Sequence, residues 1–324
     1  MYMESVNSFV DKIEKANSIA ILTHINPDGD TLGGAAALKH FIENNFNKKP
    51  ILVVNSAIPE MYEFLPKISE AVHNTKVDKD TVFDLAIAVD VAAKDRMGYA
   101  LKFFENAKST INIDHHITND NYGNLNFVEP NASSASEVLY KIMKQTNLTI
   151  SKDAATCLYV GVCTDTGNFK FDNTSSDVLI IAGELAQIGA NPSEISTFVY
   201  GSKPKEMVML AAYTVNNAVF SDDGKIVYSV VSQKVMQNFK AKHEHTEGIV
   251  EMLKEIKTVE IAILFKEINA EQTKVSMRTK NIDSTKIAET FGGGGHKFAS
   301  GCTINRPLKI AVEKLIGRVE ECIR

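Results

Sequence analysis

Cysteine is scarce in this chain of 324 residues, and the four cysteines form no obvious metal-binding pair. Cys157, Cys163, Cys302 and Cys322 include no C-x-x-C spacing, so we expect neither a zinc knuckle nor a disulfide framework. Cys157 and Cys163 lie in apolar runs, where they are expected to pack as small hydrophobic side chains. This use of cysteine favours a reducing, cytoplasmic setting.

Long hydrophobic runs and an excess of basic charge are also missing. No stretch reaches the roughly 18 apolar residues of a membrane span, and the first residues lack the basic-then-apolar pattern of a signal peptide. We therefore expect no membrane partner. The net charge of −5 argues against a broadly basic protein that coats duplex nucleic acid, although a local phosphate pocket is compatible with it.

Short apolar runs alternate with helical periodicity in the first half of the chain. Strands are predicted at 18–23, 50–55, 84–90 and 110–114, and helices at 32–45, 136–144, 153–164 and 177–188, with Thr31 near the first N-cap. Such alternation is typical of a mostly parallel sheet with helices on both faces. We expect a first domain at 1–188, which contains all the acidic and histidine clusters described below.

The pattern becomes irregular after residue 188 and then restarts. Gly189, Pro192, Gly201 and Pro204 punctuate 189–218, which we interpret as a linker that includes a helix from residue 205. Strands at 225–231, 259–266 and 274–278 and helices near 246–255, 284–290 and 308–323 then predict a smaller α/β domain at 219–324. A chain of this length favours two domains.

Four clusters of acidic and histidine residues carry the chemistry, and three of them stand where a predicted strand ends. In chain order they are His24 with Asp28 and Asp30, then Asp90, then Asp114-His115-His116, then Asp165 at the end of a predicted helix. In parallel sheets, ligands bind beyond the carboxyl ends of the strands. Carboxylates mixed with imidazoles suit a divalent ion such as Mn²⁺, and several carboxylates suit two ions better than one.

Structural explanations compete with this hypothesis at each residue. An aspartate after a strand is often a turn or cap residue, adjacent histidines are often solvated, and N-P-D-G is ordinary turn chemistry. The combination, in order and at strand ends, favours the metal site. There Asp90 is suited to bridge two ions, and Asp114 to orient a histidine. One of His115 and His116 would bind metal while the other faces substrate.

A second candidate site lies far along the chain, at Gly292-Gly293-Gly294-Gly295-His296. Glycines allow the backbone to approach an anion closely, and their N–H groups can surround a phosphate. Arg278 and His296 can donate hydrogen bonds to phosphate, and Ser276 shares a strand face with Arg278. A flexible loop and an exposed strand face are the structural alternatives.

Together these residues resemble the DHH phosphoesterase superfamily, named for the triplet Asp114-His115-His116. Thr23–Asp30 (T-H-x-N-P-D-G-D), Asp90 and the Asp165 segment match the other motifs of that family in order. The glycine run with Ala299-Ser300-Gly301 resembles the signature of the DHH-associated C-terminal domain, with Ser300 where alanine is more usual. Ser276–Thr279 looks like its S-x-R-S segment, and Thr246-Glu247-Gly248-Ile249 resembles a recurrent segment of the nanoRNase branch.

The likeness covers nearly the whole chain and is greatest to the NrnA-type bifunctional oligoribonucleases and pAp phosphatases. It implies a hydrolase for short RNAs (nanoRNA, pApA) and adenosine 3′,5′-bisphosphate (pAp), acting through water activated by two Mn²⁺ ions, with Mg²⁺ or Co²⁺ as alternatives. A cyclic di-AMP phosphodiesterase, a pyrophosphate or polyphosphate hydrolase and a catalytically silent nucleotide-binding regulator are the rival functions. A homodimer is compatible with each.

The resemblance also implies roles for individual residues. His24, Asp28 and Asp90 would hold one ion, and Asp30, Asp90, His115 and Asp165 the other. His116, Asp90 and Asp114 would be the catalytic residues. Arg278, Ser276, Gly293, Gly294, Gly295 and His296 would bind substrate and favour short nucleotides over long polymers.

Overall fold

The structure, a computed structural model, describes residues 2–323 and divides the chain into two compact units between Ser202 and Lys203. This division falls inside the segment 189–218 that we expected to be a linker. The limits of that linker and of the two domains stay predictions, and the outer limits at residues 1 and 324 lie outside the described residues.

The first unit is built on a six-stranded parallel sheet. Its elements, in chain order, are α1 (Tyr2–Lys15), β1 (Ile19–Leu22), α2 (Gly29–Phe46), β2 (Ile51–Val54), β3 (Val72–His73), β4 (Leu85–Val89), α3 (Leu101–Glu105), β5 (Ser109–Asp114), β6 (Leu125–Val128), α4 (Ala135–Gln145), α5 (Lys152–Asp165), α6 (Ser176–Ile188) and α7 (Pro192–Ser196). The strand order is β3-β2-β1-β4-β5-β6, and every pairing is parallel. The predicted parallel sheet is confirmed.

Apolar side chains on both faces hold this sheet between two layers. Ile19 and Ile21 of β1 join one core cluster, whereas Ala20 and Leu22 join another, which also contains Phe103. Successive strand residues point to opposite faces, so a strand that is covered on both sides must be apolar throughout. This requirement explains why β1 and β4 are uninterrupted apolar runs.

The chain reverses its direction of strand addition at the centre of the sheet. From β1 it adds β2 and β3 on one side, and then returns to add β4, β5 and β6 on the other. The carboxyl ends of β1 and β4 therefore flank a topological switch point, which is where open α/β sheets bind their ligands.

Helix α2 begins three residues earlier than predicted. Asp28 is its N-cap, and the Asp28 carboxylate accepts hydrogen bonds from the backbone N–H groups of Asp30 and Thr31, each at 3.1 Å. The prediction of Thr31 near the N-cap was wrong, because the Asp28 carboxylate satisfies the free N–H groups of the first turn. Asp30 consequently belongs to the helix.

The second unit has a mixed sheet. It contains α8 (Lys205–Asn216), β7 (Val219–Phe220), β8 (Ile226–Val231), α9 (Gln233–Asn238), α10 (Ile249–Lys254), β9 (Ile261–Asn269), β10 (Gln272–Thr279), α11 (Thr285–Glu289), β11 (Gly294–His296), β12 (Ala299–Ile304) and α12 (Leu308–Ile323). The order is β11-β12-β10-β9-β8-β7, in which β8 and β9 are parallel and the other pairs antiparallel. The prediction of a smaller α/β domain is confirmed.

Several elements were not predicted, among them α1, β6, β11 and β12. Helix α1 carries Val6, Phe9 and Ile13 on one buried face, a helical spacing that the sequence does display. Part of the glycine run is strand β11 rather than an open loop, because it pairs with β12. Among the described residues, no helix combines the length and apolar character of a membrane span.

Candidate active site

The candidate site lies at the carboxyl ends of three adjacent strands of the first sheet. His24 stands two residues after β1, Asp90 directly after β4, and Asp114 at the end of β5. Because β1, β4 and β5 are neighbours in one parallel sheet, their ends place these side chains on the same edge. Asp165 joins them from the last residue of α5.

Asp90 is at the centre of the site. Its backbone is left-handed (φ +58°), its N–H donates to the Ile113 carbonyl at 2.9 Å, and only 3% of the residue is exposed. One carboxylate oxygen, Oδ2, accepts from the Thr31 hydroxyl at 2.6 Å. The other, Oδ1, is buried without a hydrogen-bond partner among the described residues, 3.6 Å from both His115 Nε2 and His116 Nδ1.

His24 and Asp28 approach Asp90 from one side. His24 Nδ1 lies 2.8 Å from its neighbour's carbonyl, at Ile25, which orients Nε2 toward Asp90 Oδ2 at 3.6 Å and Asp28 Oδ2 at 4.0 Å. Burial lowers the pKa of His24, but the nearby Asp90 carboxylate raises it above its ordinary value.

Asp30, Asp165 and His115 form a second group. The Asp30 carboxylate is completely buried and accepts from the N–H groups of Ala135 and Ser136, at 2.6 and 2.9 Å, where α4 begins. His115 Nε2 lies 3.3 Å from Asp165 Oδ2. Burial raises the pKa of both Asp30 and Asp165. Repulsion by the charge of Asp90 raises the pKa of Asp30 further, and repulsion mainly by Asp30 raises that of Asp165.

The fully buried Asp114 holds His116. Its Oδ1 accepts from His116 Nδ1 and from the backbone N–H of His115, both at 2.8 Å. The hydrogen bond to Asp114 raises the pKa of His116 to about 9 despite partial burial. The histidine pair is therefore split: His115 faces Asp165, and His116 is tied to Asp114.

These side chains form three overlapping groups of potential metal-binding atoms. Within each group the atoms lie within 4.8 Å of one another; the groups are His24, Asp28 and Asp90; Asp30, His115 and Asp165; and Asp90, Asp114, His115 and His116. Crowded carboxylates with raised pKa values and an unpartnered buried oxygen on Asp90 are the environment that a divalent cation would stabilise. The donor set therefore fits such ions.

Two asparagines behind the site were not identified from the sequence. Asn119 Nδ2 donates to Asp114 Oδ2 at 2.6 Å and to the Val91 carbonyl at 3.1 Å, and Asn112 Nδ2 donates to Asn119 Oδ1 at 2.9 Å. The side chains of Asn112, Asp114 and Asn119 are all buried. A polar residue inside the apolar run of β5 was the available signal for Asn112, since buried polar groups need partners.

The residues that we expected to bind substrate share one face of the second sheet. His296, Ala299 and Arg278 are directly paired across β11, β12 and β10, and Ser276 lies two residues from Arg278. Directly opposed residues point to the same face. Arg278 is not a free fork, because its Nε donates to Glu251 Oε1 at 2.8 Å and its Nη1 to the Met277 carbonyl at 3.0 Å.

The glycine run has packing roles of its own. Gly295 has φ +140°, and a Cβ there would lie 2.5 Å from the Ala299 carbonyl oxygen. A Cβ on Gly293 would lie 2.2 Å from the Gly301 carbonyl oxygen, whereas one on Gly294 would meet open space. The close approach to β12 thus requires glycine at positions 293 and 295. Gly294 is exposed, and its backbone is accessible between them.

The sequences of both units match known families. The sequence model described as the DHH family, N-terminal domain, matches residues 18–162, and that of the DHHA1 domain matches residues 223–324. The chain is 32% identical to the probable bifunctional oligoribonuclease and PAP phosphatase NrnA of Streptococcus mutans, over 92% of this chain and 93% of that protein. It is 28% identical to NrnA of Bacillus subtilis, over 89% and 90% of the two chains.

Solved structures share the fold. An exopolyphosphatase-related protein from Bacteroides fragilis superposes with a TM-score of 0.91 at 24% identity, covering 98% of this chain and 96% of that one. RecJ of Thermus thermophilus, solved in complex with Mn²⁺, gives 0.58 at 14% identity, covering 99% of this chain and 54% of that one. The family models and the 32% identity to the Streptococcus mutans protein show that the chain belongs to the DHH family of metal-dependent phosphoesterases, in the NrnA-type group with a C-terminal DHHA1 domain.

Proposed function

We propose that this chain hydrolyses short oligoribonucleotides such as pApA, and pAp, with two bound divalent cations. The observation that carries the proposal is the buried, unpartnered Oδ1 of Asp90, with His24 and Asp28 on one side and His115 on the other. The names of the NrnA relatives support the choice of substrate class.

The proposed metal ligands fall into two sets that share Asp90. His24, Asp28 and Asp90 would hold one ion, and Asp30, Asp90, His115 and Asp165 the other. Mn²⁺ is the expected ion, since mixed carboxylate and imidazole donors suit it, and Mg²⁺ and Co²⁺ are the alternatives. Bound cations of this kind act as Lewis acids and lower the pKa of the water that attacks phosphorus.

We propose that His116 transfers a proton to the leaving oxygen of the substrate. Asp114 accepts from His116 Nδ1, so Nε2 is the ring nitrogen left to face a substrate oxygen. A protonated Nε2 can donate to the leaving oxygen, which is otherwise a poor leaving group. Asp114 would act by fixing the orientation of the ring, and Asn119 by fixing Asp114.

Substrate binding is assigned to the second unit. Arg278, Ser276, His296 and the backbone of Gly293, Gly294 and Gly295 would bind a phosphate group of the nucleotide. Guanidinium and imidazole donors to phosphate form charge-assisted hydrogen bonds, and exposed glycine backbone can approach an anion closely. We further propose a cytoplasmic setting, in keeping with four free cysteines, and a preference for chains of two to five nucleotides.

A substrate panel tests this function. The purified full-length chain with MnCl₂ is assayed for initial rates on pApA, pAp, a 20-nucleotide RNA, cyclic di-AMP and pyrophosphate. We expect pApA and pAp to be cleaved at least about tenfold faster than the long RNA, a difference of about 1.4 kcal/mol in activation free energy.

Three other results would each contradict a part of the proposed function. Faster cleavage of cyclic di-AMP or pyrophosphate than of pApA would replace the proposed substrate class. Equal rates on the dimer and on the long RNA would remove the size preference. Absence of hydrolysis of every substrate with Mn²⁺, Mg²⁺ and Co²⁺, with nucleotide products and inorganic phosphate both measured, would contradict the enzyme itself.

A further inference from the structure

Two lysines face each other on the sheet face that carries Arg278. Lys274 of β10 is directly opposite Lys266 of β9, and Lys274, Ser276 and Arg278 alternate along β10, which places all of them on one face. Lys274 and Arg278 are four residues apart, or about 13 Å along the strand. The lysine pair is therefore a separate cationic position from Arg278.

The positive charge of Lys266 is only partly compensated. Partial burial and then the charge of Lys274 lower the pKa of Lys266, although the carboxylates of Glu247 and Glu251 act in the opposite direction. Lys274 is exposed and forms no ion pair with another described residue. Like charges that are directly opposed in an antiparallel ladder destabilise it, and a bound anion would remove that penalty.

Thr246 fixes the orientation of Lys266. The Thr246 hydroxyl donates to the His243 carbonyl at 2.7 Å, so its oxygen accepts from Lys266 Nζ, which lies at 3.2 Å. Thr246 is buried, and an ammonium group has three donors, so two N–H bonds of Lys266 stay available. Thr246 begins the T-E-G-I segment, to which the proposed function assigns no role.

Arg278 differs from the lysine pair in having a partner. Its Nε is held by Glu251, and this ion pair orients the guanidinium while neutralising much of its charge. The face therefore presents one oriented, ion-paired guanidinium at one end and, at the other, two ammonium groups that form no ion pair with another described residue. The backbone of an oligonucleotide carries its phosphate groups at regular intervals. A chain of several nucleotides can therefore place one phosphate at Arg278 and another at the lysine pair.

We propose that Lys266 and Lys274 form a second phosphate subsite, which binds a further backbone phosphate of a single-stranded oligoribonucleotide longer than the minimal substrate. The inference rests on the proposed function, because it extends the substrate bound by Arg278 from one nucleotide to a chain. Thr246 is the positioning residue of this subsite.

The test compares two substrates in the Mn²⁺-loaded full-length chain. For Lys274→Met we expect the ratio of kcat/KM on 5′-phosphorylated tetra-adenylate to that on pAp to fall about tenfold, as loss of one charge-assisted contact implies. The dependence of log kcat/KM for the tetranucleotide on log salt concentration should weaken by about 0.7, the value for one phosphate of a single strand. Lys314→Met, an exposed lysine on α12, is the matched control and should change neither quantity.

Thermal unfolding separates binding from folding. Lys274→Met removes a like-charge contact, so its melting temperature without nucleotide should equal or exceed that of the parent chain. Lys266→Met provides a second variant in the same subsite. An unchanged substrate ratio in Lys274→Met, or a lowered melting temperature with equal losses on both substrates, would overturn the subsite.

Failure of the proposed function would be visible separately. If the parent chain cleaves neither substrate, the phosphoesterase proposal fails, and fluorescence anisotropy with labelled 5′-phosphorylated tetra-adenylate still decides the subsite. Binding about tenfold weaker to Lys274→Met than to Lys314→Met supports it. Equal binding by the two variants rejects it.

Discussion

Asp90 determines the site at the scale of single residues. It belongs to two of the three ligand groups, one with His24 and one with His116, and its backbone is left-handed. A non-glycine residue with positive φ is uncommon and stores strain. The hydrogen bonds of Asp90 with Thr31 and with the Ile113 carbonyl hold it in this conformation.

Asp90→Asn tests this role. The substitution keeps the size of the side chain but removes a negative charge from both proposed ion positions. We expect at least about a hundredfold loss of kcat/KM on pApA, since even residues that only support metal ligands cost up to that much. Mn²⁺ affinity, measured by calorimetry, should fall as well.

Asp222→Asn is the control for this experiment. Asp222 is an exposed residue of a turn in the second unit, and its change should leave activity and Mn²⁺ affinity as they are. If Asp90→Asn bound Mn²⁺ as tightly as the parent chain, Asp90 would not be a shared ligand.

The sequence supplied the acidic and histidine residues around Asp90 but not Thr31, which donates to its carboxylate, nor the pairing among these residues. From the residues alone, both histidines of the D-H-H triplet were candidates for either role, and the resemblance assigned His115 to metal and His116 to catalysis. The hydrogen bond from His116 Nδ1 to Asp114 and the contact of His115 with Asp165 give this division a physical basis. Adjacent residues at a strand end point in different directions, and which direction faces the site depends on neighbouring loops. Arg278 was expected to bind phosphate, and its additional contact with Glu251 on α10 depends on how that helix packs.

At the scale of elements, close packing of α2 against α5 brings Asp30 into the site. Gly33 allows this approach, because a Cβ there would lie 2.5 Å from the Cys157 carbonyl oxygen. Gly161 of α5 faces the same region, and its Cβ would lie 2.7 Å from Asp30 Oδ1. Both glycines are inside helices, where the residue is unfavourable without such a reason.

Gly33→Ala should separate these helices. Because the clash is with backbone, we expect a loss of about 1–3 kcal/mol in the free energy of unfolding, the usual cost of overpacking. Urea unfolding measures it. Gly183→Ala on α6 is the matched control: a Cβ there meets nothing within 4 Å, so it should stabilise the chain by about 0.5–1 kcal/mol. Stabilisation by both substitutions would show that α2 and α5 tolerate a wider spacing.

Asp84 joins β4 to the start of β1. Its carboxylate accepts from the N–H groups of Asn17 and Ser18, at 2.8 and 3.1 Å, and pairs with Lys108 at 2.7 Å. The hydrogen bond from Lys108 and then those two N–H groups lower the pKa of Asp84 from 3.8 to about 2. A lowered pKa means that this stabilisation is complete above pH 3.8 and is lost as the pH falls toward 2.

Asp84→Asn should therefore be destabilised in a pH-dependent manner. At pH 7 its denaturation midpoint should lie below that of the parent chain, and the gap should narrow as the pH falls below about 4, where the unfolded carboxylate becomes protonated. Asp222→Asn should show no gap at either pH. A gap that stays constant from pH 7 to pH 3 would mean that the charge of Asp84 contributes nothing.

At the scale of the whole molecule, each unit has its own hydrophobic core. Two core clusters belong to residues 6–199 and two others to residues 210–319. All proposed metal ligands lie in the first unit, and all proposed phosphate-binding residues lie in the second. Metal and nucleotide should consequently stabilise different segments of the chain.

Hydrogen exchange with Mn²⁺ examines this division. A ligand present at a hundredfold excess over its Kd stabilises the structure that binds it by about 2.7 kcal/mol. We expect slower exchange around residues 23–31, 88–91, 113–116 and 162–166, and unchanged exchange along β9 and β10. Ca²⁺, which prefers oxygen ligands alone, serves as the comparison ion and should protect less. Equal protection in both units would contradict the assignment of the metal site to the first unit.

The sequence by itself determined the parallel sheet, the strand ends that carry His24, Asp90 and Asp114, and the family to which these motifs belong. Apolar runs that end in an acid suffice for this, because burial and strand periodicity are local properties. The short strands β6, β11 and β12 were not determined locally, since a few residues become a strand only when a neighbour offers its backbone.

Only the tertiary structure decided which polar groups meet. The contact of Asp30 with the start of α4, the unpartnered oxygen of Asp90, the asparagines behind Asp114 and the opposed Lys266 and Lys274 all join segments distant in sequence. Hydrogen bonds and charge interactions act over a few ångströms, so their partners are fixed by packing and register rather than by composition.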